Sequence, residues 1–284
     1  MKSKICSSEY VRTVSRGKSW IPAFLSLGFF LAFPVALLLV VGNWKAARYT
    51  PDQLHLLYEG LWKEKLVFTG GAITIVAAIM NSINGFSYVY SRKKVDFYHS
   101  LPVKRSRMFW NRVYTGLLYY LVPYMIMEFF AVCIGAAKGF FSLKLMELAA
   151  RLLLVHLLLY FLFYFSIVLV FCVTGNFLMG VLCLAGMQLY GPALGILMSF
   201  CAYGFFDTFS SNYPYGIFKA LEDYASPITL TAAFWQKYEA GQGAALAAVL
   251  FVLTLIFTAV SYFAYIHRPS EAAGKPMVYG KLAA

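Results

Sequence analysis

The chain has 284 residues, of which 61% are hydrophobic, 18% aromatic and only 13% charged. Soluble globular domains carry about 25% charged residues, so this composition excludes an ordinary soluble enzyme. The 24 Lys and Arg residues outnumber the 12 Asp and Glu residues, which gives a net charge of +12. Such an excess is compatible with a nucleic-acid partner, an anionic membrane surface or a membrane-topology signal, and the positions of the charges decide between them.

Six stretches are long and apolar enough to cross a membrane as helices. A spanning helix needs about 20 mostly apolar residues, because hydrocarbon offers the backbone no hydrogen-bond partner. The 55 residues from Leu152 to Phe206 contain no Asp, Glu, Lys or Arg, and we divide them at the turn-forming Thr174-Gly175-Asn176. The predicted spans are 20–42, 66–90, 113–137, 152–174, 177–206 and 240–266. The sequence therefore predicts an all-α integral membrane protein with a single transmembrane domain over 1–284.

The basic residues are concentrated on one side of these spans. Segments 1–19, 91–112 and 267–284 together hold 15 Lys and Arg residues and three acidic residues. The segments on the opposite side hold nine basic and eight acidic residues. Because Lys and Arg accumulate in cytoplasmic loops, both termini are predicted to be cytoplasmic. The charge excess is then a topology signal, and we expect the lipid bilayer and no nucleic acid among the partners.

The segments between the spans are too short for a folded domain. Residues 1–19 are compatible with a basic helix in the cytoplasmic headgroup layer or with a disordered tail. A helix start at Thr50-Pro51-Asp52 predicts an amphipathic helix on the outer surface. The aromatic segment 207–239 predicts helices that are re-entrant in the outer leaflet or lie on it, and that act either as a lid on a transport path or as an aromatic belt.

The most informative segment is the cytoplasmic loop 91–112, SRKKVDFYHSLPVKRSRMFWNR. Its seven basic residues are explained by topology, but the residues between the two basic clusters are not. Phe97, Tyr98 and Leu101 are predicted to form the apolar stripe of one short helix that ends at Pro102. A short amphipathic helix between two spans can insert into a groove on a partner protein.

A charged run, then FYHSLPVKRSRMFW, then a span, resembles the permease subunits of bacterial ATP-binding-cassette exporters of the type-2 class. In that family a similar S-L-P-[VI]-x-R stretch follows the second of six spans. The resemblance implies that the loop contains a coupling helix, which docks on a cytoplasmic ATPase subunit. The positions implied to take part in coupling are Asp96, Phe97, Tyr98, His99, Ser100, Leu101, Pro102, Lys104 and Arg105.

The same resemblance implies a place and a set of partners. The chain would lie in the bacterial cytoplasmic membrane as a multi-pass permease, paired with a second copy or with a paralogue. It would export a small molecule, a peptide antibiotic or a lipid-like substrate. The sequence has no G-x-x-x-x-G-K-[ST] loop, so ATP and Mg²⁺ are expected in the separate ATPase. We expect this chain itself to bind no cofactor.

Four polar residues within the spans are candidates for a translocation path: Asn81, Asn84, Glu128 and His156. Ionisable groups in a membrane are costly and often functional. A Glu128–His156 contact is one possibility, and pairing of each residue with neighbouring helices is the other. Glu147 and Arg151, four residues apart, predict an interfacial ion pair.

Two alternative functions need no ATPase. An intramembrane enzyme lacks support because we find no H-E-x-x-H or complete G-x-S-x-G motif, and the four histidines are too scattered for one metal site. A secondary transporter usually has more spans and inverted repeats. We therefore expect neither catalytic nor metal-binding residues in this chain.

Overall fold

The computed structural model describes residues 20–44, 50–205, 220, 223–239 and 242–279. These residues are almost entirely helical and contain no β-strand beyond an isolated bridge between Thr174 and Met277. Short 3₁₀ turns cover Ser87–Tyr90 and Ser270–Ala272. The helices are α1 (Trp20–Gly42), α2 (Pro51–Lys63), α3 (Lys65–Phe86), α4 (Arg92–Ser100), α5 (Arg105–Ala137), α6 (Leu143–Val173), α7 (Phe177–Phe205), α8 (Pro227–Glu239) and α9 (Ala244–His267).

Six helical segments in the described part of the chain are long and apolar enough to cross a membrane, namely α1, α2 continued by α3, α5, α6, α7 and α9. The all-α class and the number of candidate spans are thereby confirmed, and six such helices are the mark of a multi-pass membrane protein. Two helices start earlier than the predicted spans, α5 at Arg105 and α6 at Leu143. A helix satisfies its own backbone bonds, so it continues through polar turns beyond the apolar layer.

The α6 helix forms the centre of the bundle. In the most apolar 18-residue stretch of α6, 61% of the residues are buried. The corresponding value for α7 is 11%, so α7 lies at the periphery. On one side, Ser82 of α3 donates to the Tyr164 carbonyl of α6 over 3.3 Å. On the other side, Ser261 of α9 donates to the Phe165 carbonyl over 3.1 Å. These bonds hold α3, α6 and α9 together as a core.

The α1 helix widens into a π-helical turn over Leu31–Val35, which contains Pro34. Proline has no N–H to donate and its ring occupies the space of the preceding turn, and the wider turn accommodates both effects. The widened turn places Phe33 in the interior, where it is 1% exposed. Its ring centre lies 5.2 Å from that of Tyr124 on α5 and 6.2 Å from that of His156 on α6. The bend in α1 therefore contributes one wall of the polar site described below.

The amphipathic α2 begins where the sequence predicts. Thr50 and Gln53 form a reciprocal capping box, with Pro51 in the first turn of the helix. Tyr58 and Trp62 are each 2% exposed and face the bundle. Glu59 pairs with Lys144 at the start of α6 over 2.6 Å, which fixes α2 on the end of the bundle.

The predicted interfacial segment 1–19 lies outside the described residues. Of the aromatic segment 207–239, the structure describes Ala220 and residues 223–239, which include α8. Phe234 of α8 is 1% exposed, and the Trp235 ring lies 5.5 Å from that of Phe68 near the start of α3. The described part of this segment thus packs on the bundle at the end opposite to α4.

Candidate functional site

The α4 helix is the short helix predicted in the loop, and it ends at Ser100. Leu101 already has an extended backbone, with φ −71° and ψ 141°. The residue before a proline is disfavoured in helical geometry, so Pro102 stops the helix one residue ahead of itself. The chain then turns and enters α5 at Arg105. The helix α4 therefore lies between two of the candidate spanning helices, α3 and α5.

The inward side of α4 is fixed by a buried arginine, Arg112 of α5, which is 3% exposed. Its guanidinium carbon lies 3.8 Å from the centre of the Tyr88 ring and 4.6 Å from that of the Tyr98 ring. It also donates to the Gly85 carbonyl at the end of α3. A guanidinium enclosed by aromatic faces makes favourable cation–π contacts. Arg112 therefore joins the end of α3 to α4 and α5, whereas the sequence identifies it only as a topology charge.

The outward side of α4 carries an exposed aromatic ring among charges. Phe97 is 55% exposed, and Asp96, Lys93 and Lys94 are exposed around it. Tyr98, the next residue, instead faces the Tyr88 ring at 4.9 Å. The Phe97 and Tyr98 rings still contact each other, with their centres 5.4 Å apart. The stripe predicted over Phe97, Tyr98 and Leu101 is divided in exposure, because Phe97 is exposed whereas Tyr98 and Leu101 are half-buried.

The remaining loop positions divide between the two sides. Ser100, Pro102 and Lys104 are exposed, whereas Leu101 is half-buried against Met108. His99 is half-buried, and its burial lowers the pKa of the imidazole, as does the nearby Arg105 guanidinium. Arg105 donates to the carbonyls of Ile266 and Arg268 over 3.1 and 2.9 Å. Arg105 therefore belongs to the anchoring side of the loop.

The residues after α9 fold back over the same end of the bundle, around Arg268, which is 6% exposed. Its guanidinium group donates to four backbone carbonyls, those of Phe171, Cys172, Thr174 and Val89, over 2.7–3.2 Å. Carbonyls at helix C-termini have no partner within the helix and carry partial negative charge. Arg268 satisfies such groups at the end of α6 and after α3 at once. No feature of the sequence analysis pointed to this role.

The rest of this tail makes backbone bonds with the α6–α7 turn. Val278 donates to the Val173 carbonyl over 2.9 Å, and Gly274 donates to the Gly175 carbonyl over 2.7 Å. A Cβ atom on Gly175 would lie 2.3 Å from the backbone oxygens of both Ala272 and Lys275, so glycine is required for this close approach. The tail and the α6–α7 turn thus form one assembly, which we call the clasp (residues 173–176 and 268–279).

The clasp is also bonded to α4 itself. Arg92 in the first turn of α4 donates to the Ala273 carbonyl over 3.0 Å. Next to α4, the Tyr88 and Tyr265 hydroxyls are 2.5 Å apart, which connects the end of α3 to α9. A displacement of α4 must therefore be shared with α3, α5, α6 and α9.

Among the path candidates, Asn81 is enclosed between helices and is 1% exposed. Its amide donates to the Gly116 carbonyl of α5 over 3.0 Å and to the Tyr160 hydroxyl of α6 over 3.3 Å. Asn84, one turn nearer to α4, is half-buried. Interhelical bonds of this kind hold helices together within a membrane. Asn81 therefore acts as a brace between three helices.

His156 is fully buried in a niche at the level of the first turns of α3. Its Nε2 atom lies 3.1 Å from the Val67 carbonyl, and its Nδ1 atom lies 2.8 Å from the Tyr124 hydroxyl. A Cβ atom on Gly70 would lie 2.6 Å from the imidazole, so this glycine makes room for the ring. Both ring nitrogens are occupied, so of the two possibilities the structure shows His156 paired with neighbouring helices and not with Glu128.

Glu128 lies one turn from Tyr124 on the same face of α5 and is 6% exposed. Its Oε1 atom is buried and has no hydrogen-bond partner. The ion pairs found among the described residues, Glu59–Lys144 and the predicted Glu147–Arg151, do not involve it. Tyr124 contacts His156, and Glu128 lies one helical turn further along α5 without a contact to the imidazole.

The described residues contain no cluster of three or more His, Cys, Asp or Glu side chains able to hold a metal ion. An apolar cavity of about 580 Å³ lies between α7, α8 and α9, where its walls include Tyr190, Leu230, Leu253 and Phe257. Comparison with known proteins found no matching family model, no matching curated protein and no matching solved structure.

Proposed function

We propose that this chain is the membrane-spanning permease subunit of an ATP-binding-cassette exporter and that α4 docks on a separate cytoplasmic ATPase. The observation that carries the proposal is the two-sided construction of α4. Its outer side presents Phe97 at 55% exposure, while its inner side is held by Arg112 and by the clasp. An exposed aromatic ring surrounded by charges suits insertion into a groove on a partner protein.

The anchoring side explains how docking would act on the membrane domain. Binding and hydrolysis of ATP in the partner would move α4 as a rigid lever. Arg112 would pass this motion to α3 and α5, and Arg268 would pass it to α6 and α9. Buried hydrogen-bonded arginines make stiff connections because displacing them leaves polar groups without partners.

The distribution of charge supports placing this end of the bundle in the bacterial cytoplasm. The loop and the tail contribute the basic residues Arg92, Lys93, Lys94, Lys104, Arg105, Arg107, Arg112, Arg268, Lys275 and Lys281. Positive residues accumulate on the cytoplasmic side of bacterial plasma membranes. Both termini would then be cytoplasmic, on the side where ATP is available.

The outer surface of the bundle supports pairing with a second permease, either another copy or a paralogue. The α7 helix is scarcely buried, and the apolar cavity of about 580 Å³ lies beside it. A cavity of this size and character suits an apolar or amphipathic substrate, such as a drug-like molecule, a peptide antibiotic or a lipid-like compound.

A site-specific photo-crosslinker tests the docking surface. We expect a benzophenone side chain at position 97 to cross-link, in native membranes, to a protein that carries the G-x-x-x-x-G-K-[ST] sequence, identified by mass spectrometry. The matched control is position 141, because Phe141 is 60% exposed at the opposite end of the bundle. Equal cross-linking from both positions would contradict docking through α4. That result, or transport by the purified chain alone in vesicles, would favour a transporter or an enzyme that works without an ATPase.

A further inference from the structure

A groove opens between α1 and the junction of α2 with α3, at the end of the bundle opposite to α4. Two adjoining cavities, of about 340 and 740 Å³, form this groove. They share four lining residues, Val40 of α1 and Leu61, Glu64 and Lys65 at the junction. Cavities of this order of size are typical of ligand sites. The two cavities therefore make one continuous groove.

The groove is closed toward the middle of the bundle, because α1 and α3 touch there. A Cβ atom on Gly70 would lie 2.7 Å from the Phe33 ring, and one on Gly28 would lie 3.3 Å from Ile73. Past Gly70 the groove occupies the space beside residues 36–44, which cover about 12 Å at a rise of 1.5 Å per residue. The hydrocarbon of one leaflet is about 15 Å deep. The groove thus extends through most of one leaflet.

The lining of the groove changes from apolar to charged along its length. The closed end is lined by Leu37, Leu66 and Phe68. At the junction, where the backbone of Glu64 departs from helical geometry with φ −110° and ψ −69°, Glu64 and Lys65 are exposed. Within the described chain neither of them takes part in an ion pair. A carboxylate and an ammonium group therefore border the mouth of an apolar slot.

The rims of the groove indicate the depth of these charges in a membrane. On α2, Leu56 and Leu57 are 66% and 40% exposed, and both line the wider cavity. An amphipathic helix lies in the headgroup layer with such residues turned toward the acyl chains. Trp44 lines the opposite rim, and tryptophan is enriched at the same level. Glu64 and Lys65 are then at the depth of the lipid headgroups.

We propose that this groove binds a zwitterionic phospholipid of the surrounding bilayer, of the phosphatidylethanolamine type. One acyl chain lies in the apolar slot, Lys65 binds the lipid phosphate, and Glu64 binds the lipid ammonium group. An anionic lipid satisfies Lys65 but is repelled by Glu64. An apolar helix of a second copy fills the slot but leaves both charges without partners. The proposal concerns the groove alone and holds whether or not the chain works with an ATPase.

Native mass spectrometry of the purified full chain tests the proposal, after reconstitution in vesicles of equal parts phosphatidylethanolamine and phosphatidylglycerol. We expect wild type to retain one phosphatidylethanolamine molecule per chain. Lipid binding by Val40→Trp should be at least about tenfold weaker, because Val40 lines both cavities and the indole overfills the slot. Leu39→Trp is the matched control. Leu39 is 63% exposed and lines neither cavity, so this variant should bind lipid as wild type does.

The two charges should give different results in the same measurement. Lys65→Gln should weaken the binding of both lipids by about two- to fivefold, as expected for a partly exposed charge pair. Glu64→Gln should instead abolish the preference for phosphatidylethanolamine over phosphatidylglycerol. Lys63→Gln is the control, because Lys63 is exposed but does not line the groove.

The proposal is overturned if wild type retains no lipid or prefers phosphatidylglycerol, or if Val40→Trp binds as much lipid as Leu39→Trp. A lipid-free dimer that becomes monomeric in Val40→Trp would assign the groove to a second copy instead. Melting temperatures of the two tryptophan variants show whether their folds are equally intact. Should Val40→Trp be unstable, the variants of the exposed Glu64 and Lys65 decide the outcome.

Discussion

Arg268 donates from its guanidinium group to the carbonyl of Thr174 over 2.9 Å, across 94 positions of the sequence. The bond joins the segment after the last spanning helix to the C-terminal end of α6. The same guanidinium group serves three further carbonyls, one of which, that of Val89, follows α3. A single side chain thus holds together the ends of three helices beside the proposed docking helix.

Replacing this arginine should weaken the whole bundle. Arg268→Gln leaves buried carbonyls without donors, and we expect it to lower the free energy of unfolding by at least about 3 kcal/mol. Arg268→Lys should recover part of the loss, because an ammonium reaches fewer carbonyls. Thermal unfolding in detergent provides the measurement, with the exposed tail residue Lys275→Gln as the control. An Arg268→Gln protein as stable as this control would refute the structural role of the clasp.

Gly175 allows a second test of the clasp. Alanine at this position would place a Cβ atom 2.3 Å from two backbone oxygens, which cannot give way without moving the tail. We expect Gly175→Ala to destabilise the protein by about 1–3 kcal/mol and to expose the tail to protease. Gly186→Ala is the matched variant, because a Cβ there has no heavy atom within 4 Å. It should be neutral or should stabilise α7 by up to about 1 kcal/mol.

The contribution of Arg112 to stability should depend on the planar shape of its guanidinium group. Arg112→Lys keeps the positive charge but loses stacking between Tyr88 and Tyr98 and one of its donors. We expect a loss of about 1–3 kcal/mol in stability and weaker coupling between α4 and the spans. Arg107→Lys on the exposed side of α5 should change the melting temperature little. Equal melting temperatures for the two variants would show that the enclosure of Arg112 contributes nothing.

His99 should make the α4 loop sensitive to acid. Burial lowers the pKa of this imidazole in the folded protein below its ordinary value of 6.5. As pH falls through about 6.5 the unfolded chain takes up the proton first, so stability is complete above this pH and declines below it. In His99→Gln the melting temperature should change less between about pH 7 and pH 5 than it does in wild type. The difference should be a few °C at most, because His99 is only half-buried. A pH dependence as steep in His99→Gln as in wild type would assign the effect to other groups.

The spans and α4 could be predicted from the sequence because each depends on a local pattern. A run of about 20 apolar residues is sufficient to indicate a span, and the S-L-P stretch indicates where the short helix ends. The capped start of α2 at Thr50 is equally local. These elements need no knowledge of what packs against them.

The roles of Arg112, Arg268 and Tyr124 could not be predicted in this way. Each depends on contacts between helices that are far apart in sequence, such as the 179 positions between Arg268 and Val89. From the sequence alone, both arginines are explained as positive charges that set the membrane topology, and Tyr124 is one aromatic residue among many. The one local signal is that Arg268 directly follows a span and precedes Pro269, where it can reach free helix-terminal carbonyls.

The docking role of α4 is tested most directly by purifying the chain from its native membranes and measuring the associated ATP hydrolysis. Phe97→Ala is the substitution in α4 that should disturb the fold least, because Phe97 is 55% exposed whereas Leu101 packs against Met108. We predict that wild type and the control Phe141→Ala co-purify with an ATPase subunit. The ATPase activity that co-purifies with Phe97→Ala should be at least about tenfold lower, as expected for an interface hot spot. The melting temperature of Phe97→Ala should stay unchanged. Retention of the same ATPase activity by Phe97→Ala would contradict the account.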